Sequence, residues 1–145
     1  MVKVTLKTEL LNSDSKLPTR SHPLDTGLDL YANQRVIIWP GETKLVPFGV
    51  KVQLPKTFSG EIRPRSGMSL KSGLKCLLGT IDSGYRGEVN GIFVNVSDKV
   101  ETIEVGDRVA QFVVRHDTPT EVIEVEQVYA STDRATNGFG STGKK

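Results

Sequence analysis

Cysteine is nearly absent from this 145-residue chain: Cys76 is the only one. One thiol cannot close an intrachain disulfide, nor can it supply a Cys-rich structural zinc site. Histidine is equally scarce, with His22 and His116 alone, so a His-rich metal centre is not expected. No apolar run approaches the roughly 20 residues that a membrane-spanning helix needs. The first ten residues alternate apolar and polar side chains and lack the apolar stretch of a secretory signal. Neither sign of charge dominates: 19 Lys plus Arg meet 17 Asp plus Glu, for a net charge of +2, which gives no electrostatic case for a nucleic-acid partner. HExxH, a Gly-x-Ser-x-Gly elbow and a Cys–His pair in a plausible setting are all missing, so nucleophilic catalysis is not suggested. The expectation is a cytoplasmic protein with no membrane or nucleic-acid partner, although a nuclear or viral setting is also compatible.

The chain instead has short strands. Its length suits one domain, and charged residues make up 25%, which is ordinary for a globular protein and argues against disorder. Apolar residues recur with period two: Val2, Val4 and Leu6; Leu28 and Leu30; Ile92, Val94 and Val96. Arg35–Trp39 is β-branched and is stopped by Pro40-Gly41. Thr43–Leu54 is extended, with Pro47 and Gly49 marking a bulge or an edge position. Glu121–Tyr129 is valine-rich and reads as a further strand. Turn signals such as Ser59-Gly60, Ser72-Gly73, Ser97-Asp98 and Gly106-Asp107 punctuate the chain, as in a sandwich, barrel or jelly roll. Helix is expected only as a turn or two over Met68–Lys71.

Five clusters carry possible chemistry. Gly138-Phe-Gly-Ser-Thr-Gly-Lys144 nearly spells a phosphate loop but lacks the closing Ser or Thr, because Lys145 stands there. Its glycine-freed N–H groups, with Arg134 and the Ser141 and Thr142 hydroxyls, can still grip phosphate, and an aromatic between glycines can cover a base. In isolation the same segment also reads as a frayed terminus. Arg65-Ser66-Gly67 offers a guanidinium, a hydroxyl and an N–H, although such a trio is also a common surface turn. Asp82, after Ile81 and before a tight turn, is a partly buried carboxylate and a candidate general base; alternatively it caps its own hairpin. Asp29 lies inside an otherwise apolar strand and needs a partner or a metal. In Gly106-Asp-Arg-Val-Ala-Gln111, the plain reading is a turn with Arg108 pairing a nearby acid. Two acids, several arginines, glycine-rich anion sites and an aromatic lid together suggest a nucleoside polyphosphate with a divalent cation.

Taken in order, Thr26-Gly-Leu-Asp-Leu30, Pro64-Arg-Ser-Gly67, Gly79-Thr-Ile-Asp-Ser-Gly-Tyr-Arg-Gly87, Gly106–Gln111 and Arg134 through Gly138–Gly143 resemble the five motifs of the trimeric dUTPases. The resemblance runs from about residue 20 to 143. It implies an all-β, distorted jelly-roll-like barrel over residues 1–130 with little helix. A flexible glycine-rich arm, 131–145, would close over a neighbouring subunit's site in a homotrimer with shared active sites. The implied reaction is hydrolysis of dUTP to dUMP and pyrophosphate with Mg²⁺, which limits uracil in DNA and supplies dUMP for dTMP synthesis. Asp82 would activate the water that attacks the α-phosphorus in line, and Asp29 would stand near the catalytic water and the metal. Arg65, Ser66, Gly67, Gln111, Arg134, Ser141, Thr142 and Gly143 would hold phosphates. Gly79, Tyr85, Asn90, Phe139 and Gly140 would hold uracil and deoxyribose, with the Tyr85 ring excluding a ribose hydroxyl. The three phosphates would carry Mg²⁺, so no direct protein ligand is implied, Asp29 reaching it at most through water.

This chain departs from the pattern in four places. Thr26 replaces a usual alanine. Cys76 stands in the uracil hairpin where some members carry a polar residue, so a side-chain contact to the base would be lost. Ala135 and Asn137 replace frequent glycines, where a positive φ would strain alanine more than asparagine. A dCTP deaminase, a nucleotide-gated regulatory binding protein of the same fold and a purely structural trimer are the competing readings.

Overall fold

The computed structural model describes residues 3–144. Val2, the first apolar position of the expected alternation, lies outside them. Ten strands and one short helix follow in order: β1 Lys7–Leu10, β2 Leu28–Tyr31, β3 Val36–Ile38, β4 Thr43–Gln53, β5 Phe58–Pro64, α1 Ser66–Lys71, β6 Leu74–Cys76, β7 Gly79–Ile81, β8 Glu88–Asn95, β9 Glu101–Ile103 and β10 Arg108–His116. They form a four-stranded sheet β1-β4-β8-β6, a second four-stranded sheet β2-β10-β5-β7 and a two-stranded ribbon β3-β9. The chain is all-β, in agreement with the jelly-roll-like expectation.

Period-two patterning builds the core between these sheets. Along β8, Val89, Gly91, Phe93 and Asn95 point inward, while Ile92 and Val96 are exposed. The alternation expected over 92–96 is therefore present, with the aromatic and the amide as its buried set. Phe48, Phe93 and Phe112 are fully buried. Each such side chain contributes about 1.5–3 kcal/mol by leaving water. Two glycines make room for them: a methyl on Gly60 would lie 2.0 Å from the Phe112 ring, and one on Gly91 would lie 2.6 Å from that of Phe93.

β4 is an inner strand, and its ladder with β8 slips between Pro47 and Lys51. The expected break is thus a bulge, with Gly49 at φ +67°. Glycine is required there twice over, since a side chain would also strike Asn33 and Ser15. The helix starts earlier than expected, at Ser66.

Two expected strands are absent. Residues 3–6, with the alternating Val4 and Leu6, pair with nothing among the described residues and precede β1, which begins only at Lys7. Residues 121–129 form no ladder, and Val122, Ile123, Val125, Val128 and Tyr129 are all exposed. A strand exists only against a partner edge. The last backbone link to the barrel is Asp117 N–H to the Thr57 carbonyl at 2.8 Å. Beyond it, the described residues make only local hydrogen bonds.

Cys76 faces the core rather than the cavity described below. It pairs with Phe93 across β6 and β8 and is buried. Burial pushes its thiol up to about 11, from an ordinary value of 9.0. Between these two values the unfolded chain releases the proton and the folded chain keeps it. The Cys76 contribution to stability is therefore constant below about pH 9 and is lost as pH rises toward 11. Urea titrations at pH 8 and 10.5 should show this loss for the native sequence and a smaller one for Cys76→Ala. An equal loss in both proteins would contradict it.

Candidate active site

The hairpin around β7 builds the first half of the site. Gly79–Ile81 pairs with β5, placing Gly79 opposite Ile62 and Ile81 opposite Gly60. The chain then turns tightly, with Tyr85 N–H donating to the Asp82 carbonyl at 3.0 Å. A cavity of about 340 Å³ opens beside this turn, walled by Ile62, Leu77, Gly79, Asp82, Tyr85 and Asn90. Apolar side chains line most of it, with a few polar groups among them, the usual make-up of a small-molecule site. A larger cleft of about 430 Å³, between Lys7, Lys51 and Arg86, has no aromatic wall.

Polar groups in the cavity are held in place. The Glu88 carbonyl accepts from Tyr85 Oη at 2.9 Å and from Asn90 Nδ2 at 3.1 Å. This leaves the Asn90 side-chain oxygen and its second N–H for a ligand. Asp82 is exposed, not partly buried as expected, because nothing in a single chain covers the mouth of the cavity. Its carboxylate makes no hydrogen bond or ion pair among the described residues, so both oxygens are open to a water.

The second half lies around Asp29. Its buried carboxylate receives Arg65 Nε at 2.9 Å on Oδ1, and Ser21 Oγ at 2.9 Å and Arg108 Nη1 at 3.5 Å on Oδ2. The partner that a strand-borne acid requires is therefore a pair of arginines. Arg65 also donates Nη1 to the Arg108 carbonyl at 2.9 Å. Two of its nitrogens are thus fixed, and Nη2 makes no hydrogen bond among the described residues. Gln111 sits opposite Asp29 in the ladder and donates Nε2 to the Pro64 carbonyl at 2.9 Å. Gly27 permits this, since a methyl there would lie 2.0 Å from Gln111 Oε1. Ser66 is exposed, and the space above Gly67 is open.

These two halves do not meet within one chain. Asp82 follows the residue opposite Gly60, whereas Arg65 lies beyond the other end of β5. Ser59 and Arg65 are six positions apart, or roughly 20 Å of extended chain.

The arm forms a third, separate part. Arg134 Nε donates to the Asn137 carbonyl at 2.8 Å, and tight turns follow at Gly138–Ser141 and Gly140–Gly143. Phe139 is wholly exposed. Ala135 and Phe139 sit at φ +46° and +49°, so the strain expected at Ala135 is present, at roughly 1 kcal/mol or more. Asn137 has no positive φ, so its tolerance of that region is not used. Ser141, Thr142 and Gly143 lie in the same exposed turns as Gly140.

Sequence reasoning missed Ser21 and the apolar wall of Ile62 and Leu77. Ser21 is one ordinary serine eight residues before its partner. Leu77 precedes the recognisable motif, and Ile62 reaches the cavity only through strand pairing.

The sequence pattern of one family, dUTPase, matches residues 13–143. The chain belongs to the dUTPase family. It is 41% identical to the deoxyuridine 5'-triphosphate nucleotidohydrolase of Clostridium tetani, over 99% of this chain and 100% of that one. With the enzyme of the same name from Clostridium novyi the identity is 42%, over 95% and 98% of the two chains. Among solved structures, the dUTPase of Staphylococcus bacteriophage 80alpha with dUpNHpp superposes with a TM-score of 0.92 at 28% identity, over 97% of this chain and 99% of that one. A dUTPase of phage phi11 of S. aureus, described with a structural Mg(II) ion, superposes at 0.82 with 26% identity, over 86% and 98%. The dUTPase pattern spans both half-sites and the arm. Among the described residues, no helix is long and apolar enough to cross a membrane.

Proposed function

We propose that this chain is a dUTP diphosphatase whose active site is shared between three copies. The observation that carries this reading is the open carboxylate of Asp82 on the rim of a nucleoside-sized cavity, with the Tyr85 ring and the Asn90 amide in its wall. Uracil enters the hairpin, where Asn90 and the backbone near Gly79 meet its edge. A thymine methyl has no room there, and cytosine presents a mismatched donor pattern that leaves buried groups unpaired. Deoxyribose lies on Tyr85, whose ring leaves no space for a 2′-hydroxyl.

Asp82 takes a proton from a water placed in line with the α-phosphorus. The water oxygen bonds to that phosphorus while the bond to the bridging α,β-oxygen breaks. The products are dUMP and pyrophosphate. Arg65, Ser66, Gly67 and Gln111 of a second copy hold the phosphates, because those of the same chain lie too far from Asp82. The arm of a third copy adds Arg134, Ser141, Thr142 and Gly143 on the phosphates, with Phe139 and Gly140 over uracil. Two further features support assembly: the arm leaves the barrel, and the apolar side chains of 122–128 have no cover within one chain.

In this reading the triphosphate would carry Mg²⁺, whose charge would offset that of the phosphates. The acid nearest the phosphate turn, Asp29, does not suit direct ligation, since Arg65, Arg108 and Ser21 occupy its oxygens. Its role is to hold Arg65. The products of dUTP hydrolysis would be cytoplasmic nucleotide-pool compounds, with dUMP available for dTMP synthesis.

The test is product analysis with Mg²⁺ and, separately, dUTP, dCTP, dTTP and UTP. Release of dUMP and pyrophosphate from dUTP alone is expected. Tight binding of dUTP without turnover would overturn the reading in favour of a nucleotide-gated binding protein.

A further inference from the structure

We infer that Gly87 is a positioning residue that sets the seat of the Tyr85 ring and, through it, the enzyme's preference for deoxyribose. This rests on reading the cavity as the nucleoside site. Gly87 touches nothing in the cavity itself. A methyl built on it would lie 2.4 Å from Tyr85 Oη, 2.6 Å from Cζ and 3.1 Å from Cε2. The hydroxyl end of the ring therefore rests directly over the bare Cα of Gly87. In that position Oη donates to the Glu88 carbonyl at 2.9 Å, the same oxygen that receives the Asn90 amide. One carbonyl thus ties the sugar platform to a base-facing side chain, and the missing side chain of Gly87 lets the ring reach it.

Backbone freedom does not explain this glycine. Gly87 is not among the positive-φ residues, so an L side chain fits its backbone. Neither does general crowding in the turn, because a methyl on Gly84 would meet nothing within 4 Å. The three atoms nearest to a methyl on Gly87 all belong to the Tyr85 side chain. That ring is 42% exposed, so the fold can absorb a methyl by giving up the ring's seat. The cavity wall then moves with the ring, and the Glu88 carbonyl loses one donor.

The experiment is a double-mutant cycle of Gly87→Ala with Tyr85→Ala, with Gly84→Ala as the control. Four readouts apply to every protein: melting temperature, kcat and KM for dUTP, the dUTP-to-UTP ratio of kcat/KM, and dUMP affinity by calorimetry. Gly87→Ala should lower kcat/KM for dUTP by about 10- to 100-fold, as expected for a displaced positioning group. The dUTP-to-UTP ratio should fall with it, because UTP has little left to lose. Melting temperature should hold, and Gly84→Ala should match the native protein. In the Tyr85→Ala background the same methyl should change kcat/KM and dUMP affinity less than about twofold, the signature of two groups acting as one. Native-like selectivity in Gly87→Ala would overturn the inference. So would an equal loss in both backgrounds, or unfolding in both, because the methyl would then act on something other than the ring. Absent hydrolysis with an intact coupling in dUMP binding would overturn the proposed function and leave the ring seat standing.

Discussion

Asp82→Asn should lower dUTP turnover by about 100- to 10,000-fold, the range typical of a lost general base. The substitution keeps the shape and removes the ability to take a proton. It should not disturb the fold, because the Asp82 carboxylate is exposed and makes no hydrogen bond or ion pair among the described residues. Binding of a non-hydrolysable imido analogue of dUTP should stay within about threefold of native, since the lost interaction belongs to the transition state. Turnover by single-turnover kinetics and affinity by calorimetry give the comparison. Native-like turnover would remove Asp82 from its role. A matched loss of binding and turnover would make it a ligand-holding group instead.

Removing residues 132–145 should be the second large effect. Among the described residues, the arm has no hydrogen bond to the barrel of its own chain, so the melting temperature and the assembly state should not change. Activity should change greatly. Charge-assisted hydrogen bonds from Arg134 contribute about 1.5–3 kcal/mol each, and an aromatic over a base about 1–3 kcal/mol. These terms are not additive, yet together they predict a fall in kcat/KM of about 100-fold or more. If the proposed trimer came apart on truncation, the arm would be an assembly element first. If activity survived, Phe139 and Arg134 would have no part in the site.

Much of this architecture is written locally. Period-two patterning marks β2 and β8 but not the stretch before Lys7, and Pro40-Gly41 and the Pro47–Gly49 break fall where a turn and a bulge form. Asp29 inside an apolar strand called for a partner, and the plain reading of Arg108 as the mate of a nearby acid supplied part of it. The motif residues around Asp82 and Tyr85 did come together in one cavity. What stayed hidden depends on contacts between distant segments or between chains. Ser21 meets Asp29 only because the loop before β2 folds back. The face that β8 buries is decided by Phe93 and Asn95, against the pull of Ile92 and Val96. The valine-rich stretch 121–129 has strand composition and no edge to pair with inside one chain. Cys76 looked like a base-reading position, and a one-residue change of face turned it into core.

Arg65 and Asp82 at opposite ends of β5 make the central claim testable by mixing two inactive proteins. Arg65→Ala chains keep Asp82, and Asp82→Asn chains keep Arg65. If each site takes Asp82 from one copy and Arg65 from the next, about one quarter of sites in randomly assembled trimers join two intact halves, as a closed ring of head-to-tail contacts requires. Co-refolding equal amounts should therefore restore dUTP hydrolysis from near zero to about a quarter of native activity. A mixture that exchanges subunits and stays as inactive as its parents would contradict the shared site and place both residues in the service of one chain.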